Sequence, residues 1–394
     1  MNKIQVIDLG LQPVSNRFLV NNWDEVPKFS LSISICIENG LILLDKPFPV
    51  KEVKPQFGWL TCFEPEDHLD KLVEKLTQLP GISRKSCIGG YSFKDDSTLI
   101  RMDKLGYKKI WRIDPKIDLN IDDSTANVET YQRKFTNSRA EKIADKYGLA
   151  DILLVRHVVE HAYDVSKFIQ SIRKLIKLNG YIVWELPDCE RGLNSGDCTI
   201  IWEEHIYYFT KFTFKQLMKK EGFDIIDCYI APYPLENSII AIVKESHEKL
   251  HTEIPDSKYV ESEIVRALNF SNLLSMRKKS VREKLIETTE KYGKVAFFGA
   301  GHLSVAYISI MGISDLIKYV IDDNLNKKGM VMPVGKLNIV SSDVLYEDDV
   351  LVCLLSLNPQ NHDNVIKNNY KFLDKGGIFV SIFPGSDNYL EEVL

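Results

Sequence analysis

The sequence predicts an α/β protein with two parallel, doubly wound sheet units and a small β-rich lobe ahead of them. Three observations carry this reading. Over residues 81–245, apolar runs alternate with amphipathic helical patterns, as expected of strands covered by helices on both faces. The same alternation restarts over residues 291–394. In both stretches the first strand runs into a glycine turn and the second ends in an acid: Gly89-Gly90 with Asp114, and Gly299-Ala300-Gly301 with Asp322 or Asp323. Ligands of such sheets bind at the carboxyl ends of the strands, where the strand order reverses.

Residues 1–80 read as the β-rich lobe. Two β-prone runs between Ser30 and Val50 flank Glu38-Asn39-Gly40, and Asn-Gly is a strong hairpin signal. Leu69, Leu72, Leu76 and Leu79 then recur at helical spacing up to Pro80-Gly81. In the second stretch, residues 81–245, strands are expected at Ser86–Tyr91, Lys108–Pro115, Ala150–His161 and Tyr181–Asp188. Helices are expected at Lys94–Gly106, with Asp95 or Asp96 as N-cap, and at Arg139–Gly148, Asp164–Gly180 and Lys211–Phe223. An antiparallel pair, DIIDCYIAPYP with NSIIAIVKE, closes the sheet. Residues 246–290 are polar and helical in pattern, a connector between units rather than a coiled-coil arm. Residues 291–394 form a second, smaller Rossmann-like domain; the two units are alike in architecture only.

Composition narrows the function classes. A net charge of −5 without a long basic run argues against a nucleic-acid binder. Seven dispersed cysteines without a CxxC read as reduced thiols, and neither a signal-peptide core nor a transmembrane-length apolar run is visible. A soluble cytoplasmic protein with no membrane partner is the expectation.

Chemistry concentrates in TIIWEEHIYYF, Thr199–Phe209, where Glu203, Glu204 and His205 sit among bulky apolar residues. Gly89-Gly90 with Asp114 suits a nucleoside: glycines admit close approach, a helix N-terminus follows, and an acid accepts from ribose hydroxyls. Gly299-Ala300-Gly301 is half of a dinucleotide fingerprint, and a structural turn is the plainer reading. His157 and His161 are four apart with Glu160 between them, but follow an apolar strand in a pattern unlike HExxH, so no metal is expected there.

Several segments, in order, resemble one family. They are Asp8-Leu9-Gly10 through Pro13, Asn16 and Phe18; Val158-Val159-Glu160-His161; Val183-Trp184-Glu185-Leu186-Pro187-Asp188; and Trp202-Glu203-Glu204-His205-Ile206-Tyr207-Tyr208-Phe209. Phe298-Gly299-Ala300 follows, then Ile321-Asp322-Asp323-Asn324 through Lys327 or Lys328, Gly329 and Pro333. This order is similar to that of the S-adenosylmethionine-dependent sugar C-methyltransferases, which act on nucleotide-linked 4-keto-deoxysugars. The likeness covers nearly the whole chain.

The resemblance implies a central class I methyltransferase domain, a degenerate zinc-binding-like lobe, and S-adenosylmethionine as cofactor. It implies His205 as general base with Glu204 as its orienting partner. Tyr207, Tyr208, His157 and His161 are then candidates to stabilise an enolate oxygen. Gly89, Gly90, Lys94, Asp95, Asp114 and His157 would line the cofactor site, and Arg156 and Lys336 are candidates for a substrate diphosphate. The family's lobe holds zinc on four cysteines; here only Cys36 stands at a plausible position, so no zinc is expected. The cofactor loop, Cys87–Asp96, is longer and less glycine-rich than the family's, and Trp202 replaces a tyrosine. Two other readings stay open: a nicotinamide enzyme using Gly299-Ala300-Gly301, and a catalytically altered relative serving as a binding module.

Overall fold

The computed structural model describes residues 2–60, 64–246 and 255–394. Cys62 and the start of the connector, both part of the sequence reading, lie outside the described residues. In the lobe, β1 (Lys3–Pro13), β2 (Lys28–Cys36) and β3 (Ile42–Leu44) pair antiparallel. Asn39-Gly40 turns β2 into β3, with Gly40 at φ +72°, a region that favours glycine.

The central sheet contains β4 (Cys87–Gly90), β5 (Lys109–Arg112), β6 (Ala150–Arg156), β7 (Ile176–Asp188), β9 (Phe223–Ala231) and β10 (Asn237–Glu245), in the order β5-β4-β6-β7-β10-β9. Strands β5, β4, β6 and β7 are parallel, and β10 runs antiparallel to both β7 and β9. The order reverses at β4, so the crevice lies beyond the carboxyl ends of β4 and β6. Two-residue β8 (Tyr207–Tyr208) leaves this domain and pairs with β3, tying the Thr199–Phe209 stretch to the lobe sheet.

Local chemistry shifts some predicted boundaries. A 3₁₀ turn, Phe93–Asp95, precedes the helix Asp96–Lys104: Asp95 is that helix's N-cap position but its side chain turns back to accept from Ser92 N, while the Ser92 hydroxyl caps the turn by accepting from Lys94 N. The helix expected over Asp164–Gly180 spans Val165–Arg173, because β7 already begins at Ile176. Asn179-Gly180 is therefore not a helix stop. Gly180 lies within β7, beside a register irregularity against β6, where an added Cβ would stand 2.8 Å from Ile176 Cγ1 and 3.0 Å from Ala150 O.

The connector contains one helix, Ser257–Tyr292. Its buried positions recur at intervals of three, four and, once, seven residues: Val260, Glu263, Ala267, Phe270, Leu274, Val281, Leu285 and Thr288. This stripe packs on its own chain, sharing one apolar cluster with lobe residues Val14, Ile33 and Phe48 and C-terminal residues Val305 and Ile308. The last sheet is all parallel: β11 (Val295–Phe298), β12 (Ile317–Ile321), β13 (Ile339–Val340), β14 (Val352–Leu355) and β15 (Ile378–Ser381), ordered β13-β12-β11-β14-β15. A reciprocal backbone pair, Leu19 with Val331 at 2.9 Å each way, joins it to the lobe. Among the described residues no helix is long and apolar enough to cross a membrane.

Phe270 is fully buried at the centre of the shared cluster. Phe270→Ala should cost about 3–5 kcal/mol of stability, while Met276→Ala, at a position 69 % exposed on the same helix, should change it by less than about 0.5 kcal/mol. Chemical denaturation followed by circular dichroism checks both.

Candidate active site

Two neighbouring strands end in a buried ion pair. Arg156 on β6 and Glu185 on β7 are register partners, and both are buried. Arg156 Nε donates to Glu185 Oε2 at 2.5 Å and Nη2 to Oε1 at 3.2 Å. Its remaining donors reach Lys94 O at 2.6 Å, Ser97 Oγ at 3.3 Å and Pro65 O at 3.0 Å. Arg156 is thus fully engaged within the protein and is not the diphosphate ligand suggested by the sequence. Burial alone would raise the Glu185 pKa; the Arg156 charge and hydrogen bonds from His157 and His68 override it and hold the carboxyl well below its ordinary value. Lys336, the other suggested cation, donates to Asn22 O at 2.6 Å at the lobe surface.

The loop after β4 is organised from inside. Asp95, fully buried, accepts from Tyr91 N at 2.8 Å, Ser92 N at 2.9 Å and Arg156 N at 3.1 Å. Burial pushes its pKa up to about 7 against these bonds. Asp95 is therefore a structural acceptor rather than a cofactor ligand, and it takes up loop amides that an anionic group would otherwise use. The glycines also serve internal packing: a Cβ on Gly89 would stand 2.6 Å from the Trp111 ring, and one on Gly90 2.8 Å from Leu99.

Other charged groups lie near the carboxyl ends of β4, β5 and β6. Asp114 caps the next helix through Oδ1, which accepts from Ile117 N at 2.8 Å, and it stays half-exposed at the end of β5. Lys94 Nζ and Glu64 Oε1 pair at 2.7 Å, with Glu64 20 % exposed. Burial would raise the Glu64 pKa, but His157 and Lys94 hold it at about 2. His157 takes φ +48°, a left-handed conformation that few non-glycine residues adopt. Its amide donates to Glu185 O at 2.6 Å, while its Nε2 lies 3.0 Å from Glu185 Oε1 and its Nδ1 3.4 Å from Glu64. Asp114 could accept from the ribose hydroxyls of a nucleoside, and the Lys94–Glu64 pair could offer opposite charges to an amino-acid group. The loop provides fewer free amides than the family pattern implies.

Beyond β6 and β7 lies a second cluster. Glu160 and His161 occupy a short turn of 3₁₀ helix, and Glu160 O accepts from Ile206 N at 2.7 Å, which brings His205 alongside. The His161 and His205 rings meet edge to face, 4.8 Å between centroids. His161 Nδ1 lies 2.6 Å from Glu129 Oε1, on the helix Val128–Lys134. Trp202 stacks on His302 at 3.6 Å and lies nearly parallel to His205 at 5.5 Å. Glu203 accepts from Ser15 N at 2.6 Å and Ser15 Oγ at 3.1 Å, with His302 Nδ1 at 3.4 Å. Burial, reinforced by His161, Lys94, His302 and His157, holds His205 well below the ordinary histidine pKa, so its imidazole is neutral. Burial, with Glu129 and Glu203 nearby, raises Glu204 well above the ordinary carboxyl value.

Three sequence assignments change here. Glu204 bonds to Asn16 Nδ2 at 3.3 Å rather than orienting His205. Tyr208 is fully buried and its hydroxyl donates to Trp202 O at 3.1 Å, so it shapes the loop. Tyr207 stacks on Phe209 and is turned toward the Val165 backbone, away from the imidazoles. Glu129, Ser15 and His302 were not singled out from sequence. Asn16 was quoted only within a motif, and its side chain meets Glu204 across 188 positions of chain.

In the C-terminal domain, Asp322 accepts from Ala300 N at 3.0 Å and from Lys327 Nζ at 2.8 Å, and Lys327 also reaches Ala300 O. The acid that would hold a nicotinamide dinucleotide's ribose thus closes its own glycine turn. The turn instead positions His302, the first residue of the following helix, against Trp202.

Residues 94–227 match a family model described as a methyltransferase domain, and residues 246–384 match one described as the C-methyltransferase C-terminal domain. C-methyltransferase NovU of Streptomyces niveus is 22 % identical over 407 aligned positions, spanning 97 % of this chain and 93 % of that protein. Among solved structures, magnesium protoporphyrin IX methyltransferase from Synechocystis, with bound S-adenosylhomocysteine, aligns at TM-score 0.32 and 14 % identity, over 45 % of this chain and 82 % of that one. The 1,6-didemethyltoxoflavin-N1-methyltransferase of Burkholderia thailandensis aligns at TM-score 0.30 and 9 % identity, over 46 % and 78 %. The central sheet and the two matched domains make this chain a methyltransferase that uses S-adenosylmethionine, with a C-terminal region similar to that of C-methyltransferases.

Proposed function

We propose that the enzyme methylates carbon: its acceptor is a small polar molecule, a nucleotide-linked keto-sugar or close relative, activated at the carbon beside its carbonyl. The observation that carries this reading is the buried pair of imidazoles, His161 against His205, at the carboxyl ends of β6 and β7 of a methyltransferase sheet. The likeness to a C-methyltransferase over nearly the whole chain supports a carbon acceptor.

When bound, S-adenosylmethionine supplies an electrophilic methyl group. Asp114 would accept from its ribose hydroxyls, and Glu64 and Lys94 would offer opposite charges to its amino and carboxylate groups. His205, neutral and packed in place by Trp202, takes the proton from the acceptor carbon at a ring nitrogen. The charge that then develops on the carbonyl oxygen lies on the His161 side, where Glu129 fixes the imidazole. Close in-line placement does the rest.

Incubation with methyl-labelled S-adenosylmethionine and a panel of nucleotide-linked keto-sugars should give a product one methyl heavier by mass spectrometry. His205→Asn should lower kcat by at least about 100-fold while leaving S-adenosylhomocysteine binding intact; an unchanged rate would exclude the base assignment. Tyr207→Phe should leave kcat within about twofold, since its hydroxyl does not face the imidazoles and an exposed or partly exposed substitution of this kind costs little. A larger loss in the same kinetic assay would put Tyr207 back in the site.

A further inference from the structure

The cluster around His161 holds more buried acceptors than donors. Glu129 is 1 % exposed; its Oε1 holds His161, and its Oε2 has no hydrogen-bond partner among the described residues. Asn16 Oδ1 is likewise buried without a donor, while Asn16 Nδ2 reaches Glu204. Glu160, also 1 % exposed, has neither oxygen hydrogen-bonded among the described residues, and His161 Nε2 stands 3.8 Å from it. Unpaired carboxylates in a buried site are costly, and a cation between them removes the cost. Suitable ligand atoms of Glu129, His161 and Glu204 lie within 4.8 Å of one another, close enough to contract onto one ion. These residues come from three separate segments: the helix Val128–Lys134, the turn after β6, and the loop before β8. The sequence paired His161 with His157, but the fold turns His157 toward Glu185.

We propose that Glu129, His161 and Glu204 bind one divalent cation, of the manganese, cobalt or zinc class, beside His205. Oxygen ligands with a single imidazole suit such borderline ions. Asn16 Oδ1 offers a further oxygen, and Glu160 stands behind His161 as the outer carboxylate that orients a ligating ring. The ion's role rests on the carbon-methylation reading: it polarises the acceptor carbonyl and holds the negative charge left when His205 removes the proton. His205 keeps its ring nitrogen for that proton.

The test uses the full chain, dialysed against a chelator and then titrated with Mn2+, Co2+ or Zn2+ by calorimetry. One ion should bind per chain. Glu129→Gln, which keeps a hydrogen-bond partner for His161, should weaken binding at least about tenfold, and His161→Asn should abolish it. Circular dichroism confirms that both variants fold, and the surface change Glu347→Gln should bind like the parent. Absence of binding for all three ions, or equal binding by parent and both variants, would overturn the proposal. Full methyl transfer by the chelated protein would do the same, while leaving the methylation reading standing. Ion binding without methyl transfer would instead remove that reading and the role built on it, and leave the site.

Discussion

The buried Arg156–Glu185 pair is the constraint on which the rest of the site depends. It joins β6 to β7 at their carboxyl ends, and through backbone carbonyls it also holds the Lys94 turn and the segment at Pro65. Glu185 in turn receives His157 and stands 3.1 Å from His68 Nε2. Each partner would be a costly isolated charge in this interior; together, with every Arg156 donor placed, they form a rigid base. Removing one partner would leave the other uncompensated and loosen the Lys94 turn and the segment at Pro65.

Function divides across this base. On one side, Asp95 ties up the amides of Tyr91 and Ser92, and on the proposed reading Asp114, Glu64 and Lys94 are the groups that would meet the cofactor. On the other, the chain gathers a buried cluster of imidazoles and carboxylates with contributions from all parts of the protein. The lobe gives Ser15 and Asn16, and the C-terminal domain gives His302. The long connector helix and the Leu19–Val331 bridge hold lobe and C-terminal domain together. The second Rossmann-like domain thus contributes to the site while its own glycine turn is closed by Asp322 and Lys327.

Much of this was legible in the sequence because it is local. Alternating strands and helices, the Asn39-Gly40 hairpin and the glycine turns follow from periodicity and turn chemistry over a few residues. The two Glu-His pairs were visible as motifs. What the sequence could not show was side-chain direction and long-range pairing. Adjacent residues on a strand face opposite ways, so nothing local decided which of Tyr207 and Tyr208 would turn inward, or that β8 would join β3. Glu204 and His205 look like partners in sequence, but the bonding partner of Glu204 is Asn16, at the far end of the chain. Gly89 and Gly90 read as a cofactor cradle; the space beside them is filled by Trp111 and Leu99. Glu129 sits on a helix between recognisable elements, and only folding brings it to His161.

On the proposed reading this crevice binds the methyl donor through Asp114 and the Glu64–Lys94 pair rather than through free loop amides. Calorimetric titration of the full chain with S-adenosylhomocysteine tests it most directly. One molecule should bind per chain, weakened about tenfold or more by Glu64→Gln and weakened also by Asp114→Asn. No binding to the parent protein, or binding indifferent to both substitutions, would contradict it.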